Sequence, residues 1–288
     1  MLHLALGAII ISFSPLFVKF VAPLGVSGAA AAFHRMLIGG LALILATLFS
    51  REPNARPWRM PAAGHWWSLA CAALFAADLV AWHLSILYVG PGLATLLGNF
   101  QVFLLALWGI FVLHEKLRLR FFAGIALSMA GLFAIVAPDW AAAGPDYHLG
   151  VIYGLATGVF YTGCIITLGR AMAACGEGGQ LAATAAFSFL TAVLLAPVLL
   201  LNGEPLVLPP GKALLLMTGY GLSTQFLGWI LISRGLRETR MSLAGLILLL
   251  QPALAYVWDL VLLAKPTGVA ELAGVSACLA GIAIGARK

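Results

Sequence analysis

Asp78 is an acidic residue in the middle of a long apolar stretch, FAADLVAWHLSILYVG, which spans residues 75–90. On a helix that turns 100° per residue, Trp82 and Ser85 fall on the face of Asp78, whereas His83 lies about 140° away. A carboxylate on such a face can attract a substrate ammonium or carry a coupling proton, and an indole can stack on a cation. A second interpretation stays open, in which Asp78 holds neighbouring helices together through an ion pair or hydrogen bonds.

Other polar side chains also repeat at helical spacing in apolar stretches. Each group could line a cavity or form hydrogen bonds between helices. The groups are Tyr153, Thr157 and Tyr161; Tyr220, Ser223 and Thr224; and Thr95 with Asn99. Ser14, between Ser12 and Pro15, marks an expected distortion of the first helix, where freed carbonyl groups could line a cavity.

Arg35 is a basic residue inside an apolar stretch, about seven residues from its nearer end. We predict that it forms a structural ion pair with a carboxylate such as Asp78, Asp259 or Glu271. Two alternatives are that Arg35 binds a substrate carboxylate, or that its long side chain reaches out to the membrane surface.

The elements that carry these residues are predicted to be membrane helices. Of the 288 residues, 62% are hydrophobic and 9% charged, whereas a soluble domain is roughly 45–50% apolar and about 25% charged. Apolar stretches of about 20 residues recur, which is the length that crosses a hydrocarbon core. We predict ten spans, at residues 2–21, 28–49, 67–89, 93–112, 120–137, 149–168, 179–201, 213–233, 241–262 and 268–286. Asp78 then lies about 16 Å along the third helix, close to the middle of the membrane.

The positive charge is distributed unequally between the two sides of these spans. Of the 16 Lys and Arg residues, twelve fall on the N-terminal side, three on the other side, and Arg35 within a span. The twelve are Arg51, Arg56, Arg59, Lys116, Arg118, Arg120, Arg170, Arg234, Arg237, Arg240, Arg287 and Lys288, and the three are Lys19, Lys212 and Lys265. The positive-inside rule therefore predicts a multi-pass protein of the cytoplasmic membrane with both termini in the cytoplasm. The net charge of +6 indicates topology rather than a nucleic-acid partner.

An internal repeat predicts two halves of five helices each. A shift of 150 residues places Gln101 on Gln251 and Trp108 on Trp258, and it also aligns two glycine pairs. The glycine pairs are Gly124 with Gly274 and Gly131 with Gly281. Because five is odd, the second half enters the membrane from the opposite side. We predict inverted repeats over residues 1–138 and 149–288 that form one transmembrane domain with a site between them.

The chain resembles the EamA-type transporters of the drug/metabolite transporter superfamily. The resemblance rests on FHRMLIGG in the second helix, on DLVAWHLSILYVGPGLATLLGNFQVFLLALWGIFVLHEKL, on LQPALAYVWDLVLL, and on the paired glycines. Two departures are Gln101, where family members typically have the proline that Pro252 keeps, and Lys265-Pro266, where the second repeat often has an acid. The resemblance implies a carrier of small organic metabolites, often amino acids or related compounds, that works by alternating access.

We therefore expect an exporter of amino acids or related amine-bearing solutes, with the lipid bilayer as its surroundings and a coupling proton as a possible partner. Export of hydrophobic or cationic drug-like compounds is the alternative, followed by a passive channel. A membrane-embedded enzyme is disfavoured because HExxH is absent, and because no histidine follows His148 to serve as a base for Ser223 in GYGLST. The sequence also has no P-loop, so we expect that ATP does not drive the protein directly. The four cysteines are scattered without a CxxC motif, so we expect no metal and no cofactor.

Overall fold

Ten apolar helices make up most of the chain that the structure describes. The computed structural model describes residues 1–136, 146–207, 210–263 and 268–286, and at residues 90–93, 135 and 136 it describes the backbone alone. Nine helices are long and apolar enough to cross a membrane, and a shorter apolar helix covers Leu119–Ala134. We number them α1 (Leu2–Leu24), α2 (Gly28–Phe49), α3 (Ala62–Val89), α4 (Ala94–Phe111), α5 (Leu119–Val136), α6 (Tyr147–Cys175), α7 (Gln180–Leu201), α8 (Lys212–Glu238), α9 (Met241–Leu263) and α10 (Val269–Ala286).

Three helices extend beyond the predicted spans at the same end of the bundle. α3 begins at Ala62, α6 continues to Cys175, and α8 continues to Glu238. The predicted spans stop where the apolar residues stop, but helical hydrogen bonds form equally well in the polar region beyond the hydrocarbon core. Arg170 and Arg237 lie on these extensions.

The chain reverses direction between α3 and α4, although helical turns continue without interruption over Ala62–Gly98. A Cβ atom built on Gly154 of α6 would lie 2.7 Å from the Cβ of Leu97 and 2.9 Å from the Oγ of Ser85. Residues 85 and 97 would be about 18 Å apart in a straight helix. α3 and α4 therefore run antiparallel beside α6, which agrees with two separate spans.

The contact between α5 and α10 shows the inverted symmetry directly. A Cβ atom on Gly124 would lie 2.7 Å from the carbonyl oxygen of Gly281, and Gly131 packs in the same way on Gly274. Gly281 is the repeat counterpart of Gly131, and Gly274 is the counterpart of Gly124. Each glycine thus packs on the counterpart of the other, as a two-fold axis requires.

The axis of this symmetry passes close to Ser128. Its Oγ donates a hydrogen bond of 3.1 Å to the carbonyl oxygen of Cys278, its own counterpart in the 150-residue register. α2 and α7, which are also counterparts, approach closely where Gly40 meets Phe189. These contacts confirm the predicted class, an all-α integral membrane protein with ten transmembrane helices in two inverted five-helix repeats.

α4 and α9 are interrupted at equivalent positions. α4 breaks after Gly98 and α9 breaks after Leu248, which is its counterpart in the repeat. In α9, Pro252 lacks an amide hydrogen and its ring crowds the carbonyl group of Leu248. The family resemblance placed Gln101 at the position of Pro252, but the 150-residue register places Val102 there. The amide of Val102 donates to Asn99 O at 3.1 Å in a tighter, three-residue turn. α4 is therefore distorted without the proline.

The connections form two ends, as alternating spans require. Asn54 donates from Nδ2 to the carbonyl oxygen of Glu177 at 2.9 Å, and His3 Nδ1 lies 3.0 Å from Glu238 Oε2. This end holds the basic residues of the described connections, and we call it the basic end. At the opposite end, Ser27 Oγ donates to Glu204 at 2.5 Å.

Candidate functional site

Asp78 lies in α3 between the two halves and is 7% exposed. Within the described residues, no hydrogen bond to the carboxylate of Asp78 is found. The guanidinium of Arg35, which belongs to α2, lies within electrostatic range of this carboxylate. A buried carboxylate that has an opposite charge nearby but no direct hydrogen bond is available for a ligand.

Arg35 is also 7% exposed and is held by α8. Its Nε donates to Gln225 Oε1 at 3.2 Å, and its Nη1 donates to the hydroxyl of Tyr220 at 3.4 Å. The guanidinium carbon lies 5.4 Å from the centre of the Tyr220 ring. Gln225 in turn donates from Nε2 to Ser188 Oγ at 2.8 Å, so one polar network joins α2, α7 and α8.

The ion pair predicted for Arg35 is not found in the described part of the chain. Its guanidinium has no carboxylate oxygen within salt-bridge distance there. Asp259 instead pairs with Lys19 at 2.7 Å. Arg35 lies about seven residues from its helix end and Asp78 about eleven from the corresponding end of α3, so the two lie at different depths. The amide and phenol of α8 therefore fix Arg35.

A π-helical segment, Gly221–Gly228, brings Gln225 to Arg35. In a π-helix the hydrogen bonds join residues five apart, so Tyr220 and Gln225 lie one above the other. On an α-helix they would be about 140° apart. The close approach of α2 and α8 also requires Gly39, because a Cβ atom there would lie 2.9 Å from the carbonyl oxygen of Gly221. Gln225 and Ser188 were not predicted from the sequence, since helical spacing does not reveal this pairing.

Aromatic rings from both halves pack together near Asp78. The ring of Phe75, one turn before Asp78, lies 5.3 Å from Trp229, 5.9 Å from Phe187 and 6.3 Å from Tyr161. The Tyr161 hydroxyl lies next to Gln251 and within electrostatic range of Asp78 and Arg35. The arrangement combines a carboxylate, a guanidinium and aromatic rings, and it can hold a small solute with a charged group and an apolar body.

The other predicted residues of α3 and α8 make contacts within their own helix or with a neighbouring helix. Ser85 Oγ donates to the carbonyl oxygen of Gly150 at 2.8 Å, and Trp82 is partly buried with its ring 5.2 Å from His83. Ser223 and Thr224 donate to carbonyl groups of their own helix at 2.7 and 2.8 Å. Their hydroxyl groups are therefore occupied in this structure.

The predicted residues of α4 and α6 lie near the break in α4. Asn99 donates from Nδ2 to the carbonyl oxygen of Thr95 at 2.7 Å. The methyl group of Thr157 packs on Gly98, and Tyr153 stacks on Tyr88 with ring centres 6.2 Å apart. Of this set only Tyr161, described above, belongs to the group around Asp78.

The predicted distortion of α1 is present. Helical segments cover Leu2–Ile11 and Ser14–Val21, and the chain between them is a turn. Ser12 Oγ accepts a hydrogen bond of 2.7 Å from Trp258 Nε1. Ser14 Oγ is buried and has no hydrogen-bond partner within the described residues.

Glu115 joins the two halves at the basic end, in what we call the Glu115 bridge. Its carboxylate accepts hydrogen bonds from the amides of Met241 and Ser242 at 2.9 and 3.3 Å, and from Ser242 Oγ. It therefore caps the N-terminus of α9, where a negative charge is favourable. Gly109 leaves room for it, because a Cβ atom there would lie 2.7 Å from Glu115 Oε2. His114, with φ of 54°, turns the chain just before it.

The residue types of the Glu115 bridge are not repeated in the 150-residue register. In the 150-residue register the carboxylate becomes Lys265, and the two donors become Pro91 and Gly92. Proline has no amide hydrogen, glycine has no hydroxyl, and lysine accepts no hydrogen bond. The acceptor and donors of the Glu115 bridge are therefore present in only one of the two equivalent places in the repeat.

The fold is that of a multi-pass membrane protein built from two inverted repeats. A family model described as "EamA-like transporter family" matches twice, over residues 1–137 and 148–286. The chain therefore belongs to the EamA-like transporter family, as the sequence motifs indicated, and this family lies within the drug/metabolite transporter superfamily. The members of this family are transporters, not enzymes.

Solved structures share this fold. Significant matches comprise 28 chains. One, described as "Crystal structure of protein", covers 98% of this chain and 94% of its own, with a TM-score of 0.80 and 19% sequence identity. At that identity the likeness concerns the fold alone. No significant match is found among curated protein sequences.

Proposed function

We propose that this protein exports amino acids or related amine-bearing solutes across the cytoplasmic membrane by alternating access, with both termini in the cytoplasm. The observation that carries the proposal is the buried carboxylate of Asp78, to which the described chain makes no hydrogen bond. An ammonium group placed there supplies the missing donor. The aromatic rings around Phe75 suit the apolar part of the same solute.

The position of the site supports a carrier mechanism. Asp78 and Arg35 come from the first half, whereas Tyr161, Gln225 and Trp229 come from the second half. A solute held by both halves gains or loses contacts when one half moves against the other, which is the basis of alternating access. The basic residues gathered at one end support the proposed orientation.

Hydrophobic or cationic drug-like compounds are the second candidate class. The observation that favours them is an apolar cavity of about 400 Å³ lined by residues such as Leu97, Phe100 and Phe133. A large apolar cation would also suit the rings around Asp78.

Counterflow in sealed liposomes tests the proposal. The purified chain is reconstituted into liposomes that contain an unlabelled solute. Uptake of the same solute in labelled form is then followed for a panel of amino acids, amines and drug-like cations. Asp78→Asn keeps the shape and removes the charge, and Asp146→Asn, at an exposed residue, is the matched control. We expect saturable counterflow of an amine-bearing solute by the wild-type protein and the control, and a loss of roughly tenfold or more in Asp78→Asn, because a charge-assisted hydrogen bond is removed.

Three results would contradict the proposal. Counterflow by Asp78→Asn at the wild-type rate would show that Asp78 does not bind the solute. Flux that rises linearly with solute concentration would indicate a channel. Chemical turnover of a solute in detergent, with no vesicle present, would indicate an enzyme.

A further inference from the structure

A cavity of about 430 Å³ opens at the basic end, between the two halves. Its walls come from the start of α5, from the connection between α8 and α9, and from the last residues of α10. Ser242, a donor in the Glu115 bridge, and Leu117, two residues after Glu115, also line the cavity. A ligand in this cavity would therefore contact both repeats beside the point where they are already connected.

The described lining of the cavity is strongly positive. Its cationic side chains are Lys116, Arg118, Arg120 and Arg240. The carboxylate among the described lining residues is that of Glu238, which is already 3.0 Å from Nδ1 of His3 and 3.8 Å from the N-terminal amine. The Glu115 carboxylate nearby is occupied by the donors of α9. The arginines are thus available to an anion from outside the chain.

The first turn of α5 adds a second favourable feature. Arg120 and Phe121, from this turn, are part of the cavity wall. The turn contains no acidic residue that could neutralise the positive end of the helix. A helix N-terminus without an acidic residue favours an anion through its partial positive charge, although the amide of Phe121 already donates to the carbonyl oxygen of Arg118 at 2.9 Å. α9 differs, because Glu115 already caps its N-terminus.

The cavity lies at the boundary between apolar and polar surfaces. Leu119, between Arg118 and Arg120, is 84% exposed, and Phe122 is 45% exposed. Alternating arginines and exposed apolar residues are typical of the level where phospholipid headgroups lie.

We propose that this cavity binds the phosphate group of an anionic ligand and so ties the two halves together at the basic end. The planar guanidinium groups of Arg118 and Arg240, one from each half, match the geometry of phosphate oxygens. The phosphate can belong to an anionic phospholipid headgroup or to a free anion, and the experiment separates these sources.

The test uses the whole 288-residue chain in detergent after removal of phospholipid. Thermal unfolding is followed during titration with phosphatidylglycerol, with zwitterionic phosphatidylcholine, and with inorganic phosphate, and the shift in Tm gives an apparent Kd. The cavity variant is Arg118→Gln with Arg240→Gln. The control variant is Arg51→Gln with Arg59→Gln, which removes two exposed charges from the same end, outside the cavity.

We expect phosphatidylglycerol to raise the Tm of the wild-type protein and of the control, and phosphatidylcholine to have little effect. The cavity variant should bind phosphatidylglycerol roughly tenfold more weakly or worse, because charge-assisted hydrogen bonds are lost. A response to inorganic phosphate as well would show that the cavity accepts free phosphate anions, and its absence would assign the phosphate to a lipid; both support the site.

Two results would overturn the proposal. One is a cavity variant that responds to phosphatidylglycerol as the wild-type protein does. The other is an equal loss in the control variant, which would show that the lipid senses the overall charge. If the double variant does not fold, Arg118→Gln and Arg240→Gln are tested singly, and each is expected to weaken binding by roughly threefold.

Discussion

The Glu115 bridge predicts that the carboxylate of Glu115, at the basic end, contributes strongly to the stability of the protein. Glu115→Ala leaves the amides of Met241 and Ser242 at the N-terminus of α9 without their acceptor. Loss of a helix N-cap typically costs about 0.5–2 kcal/mol, and here the acceptor is charged and serves three donors. We therefore expect the free energy of unfolding to fall by about 2 kcal/mol, at the upper end of that range.

The measurement is thermal or denaturant unfolding of the purified protein in one detergent. Glu177→Ala is the matched control, because it removes an exposed carboxylate from the same end, and it should change stability by less than about 0.5 kcal/mol. Glu115→Gln should lie between wild type and Glu115→Ala, since an amide oxygen still accepts but carries no charge.

A double-mutant cycle isolates the contact between the halves. If Glu115 and Ser242 interact as described, Ser242→Ala should cost less in the Glu115→Ala background than alone, with a coupling energy of roughly 0.5–3 kcal/mol. Strictly additive effects, or an unfolding curve of Glu115→Ala that overlies that of the wild type, would refute the reasoning.

The remaining predictions concern the centre and the α5–α10 contact. Gln225→Leu should lower the Tm by several degrees, because it leaves Arg35 Nε buried without its acceptor, whereas Gln180→Leu, at a partly exposed residue, should have a smaller effect in the same assay. Gly131→Val should impair folding, measured as the yield of monodisperse protein, because its side chain would overlap the backbone of α10; Gly169→Val, where the nearest atom to an added Cβ lies 3.7 Å away, is the control, and equal yields would contradict the packing. Lys19→Ala should cost about 1 kcal/mol in unfolding experiments, since the Lys19 side chain is 48% exposed while the Asp259 side chain, which loses its partner, is 18% exposed; a loss above about 3 kcal/mol, as for a fully buried pair, would contradict that view.

The number of helices and their inverted arrangement were predictable from the sequence because the bilayer imposes them. A hydrocarbon core requires about 20 apolar residues per span, and cytoplasmic loops carry an excess of Lys and Arg. Both features can be read from the sequence. The 150-residue repeat also gave the correct register, because Ser128 forms a hydrogen bond with Cys278, its counterpart in the repeat.

The contacts of the central site were only partly predictable. Tyr220 contacts Arg35, and Tyr161 lies within electrostatic range of Asp78 and Arg35. Polar residues in apolar spans were the signal for each. The partner of Arg35 was not predictable, because a helical wheel gives directions within one helix and no distances between helices. Gln225 was missed for a further reason, since a π-helical turn changes the face to which a residue belongs.

The most direct test of the central claim is the binding of an amine solute, identified by counterflow, to detergent-purified protein. Equilibrium binding is measured for the wild-type protein and for Asp78→Asn, with the N-acylated, uncharged analogue of the same solute as a second ligand. If Asp78 receives the ammonium group, the substitution weakens binding of the amine by roughly tenfold or more, and the two proteins bind the N-acylated analogue equally. Equal affinity of both proteins for the charged amine would contradict the account.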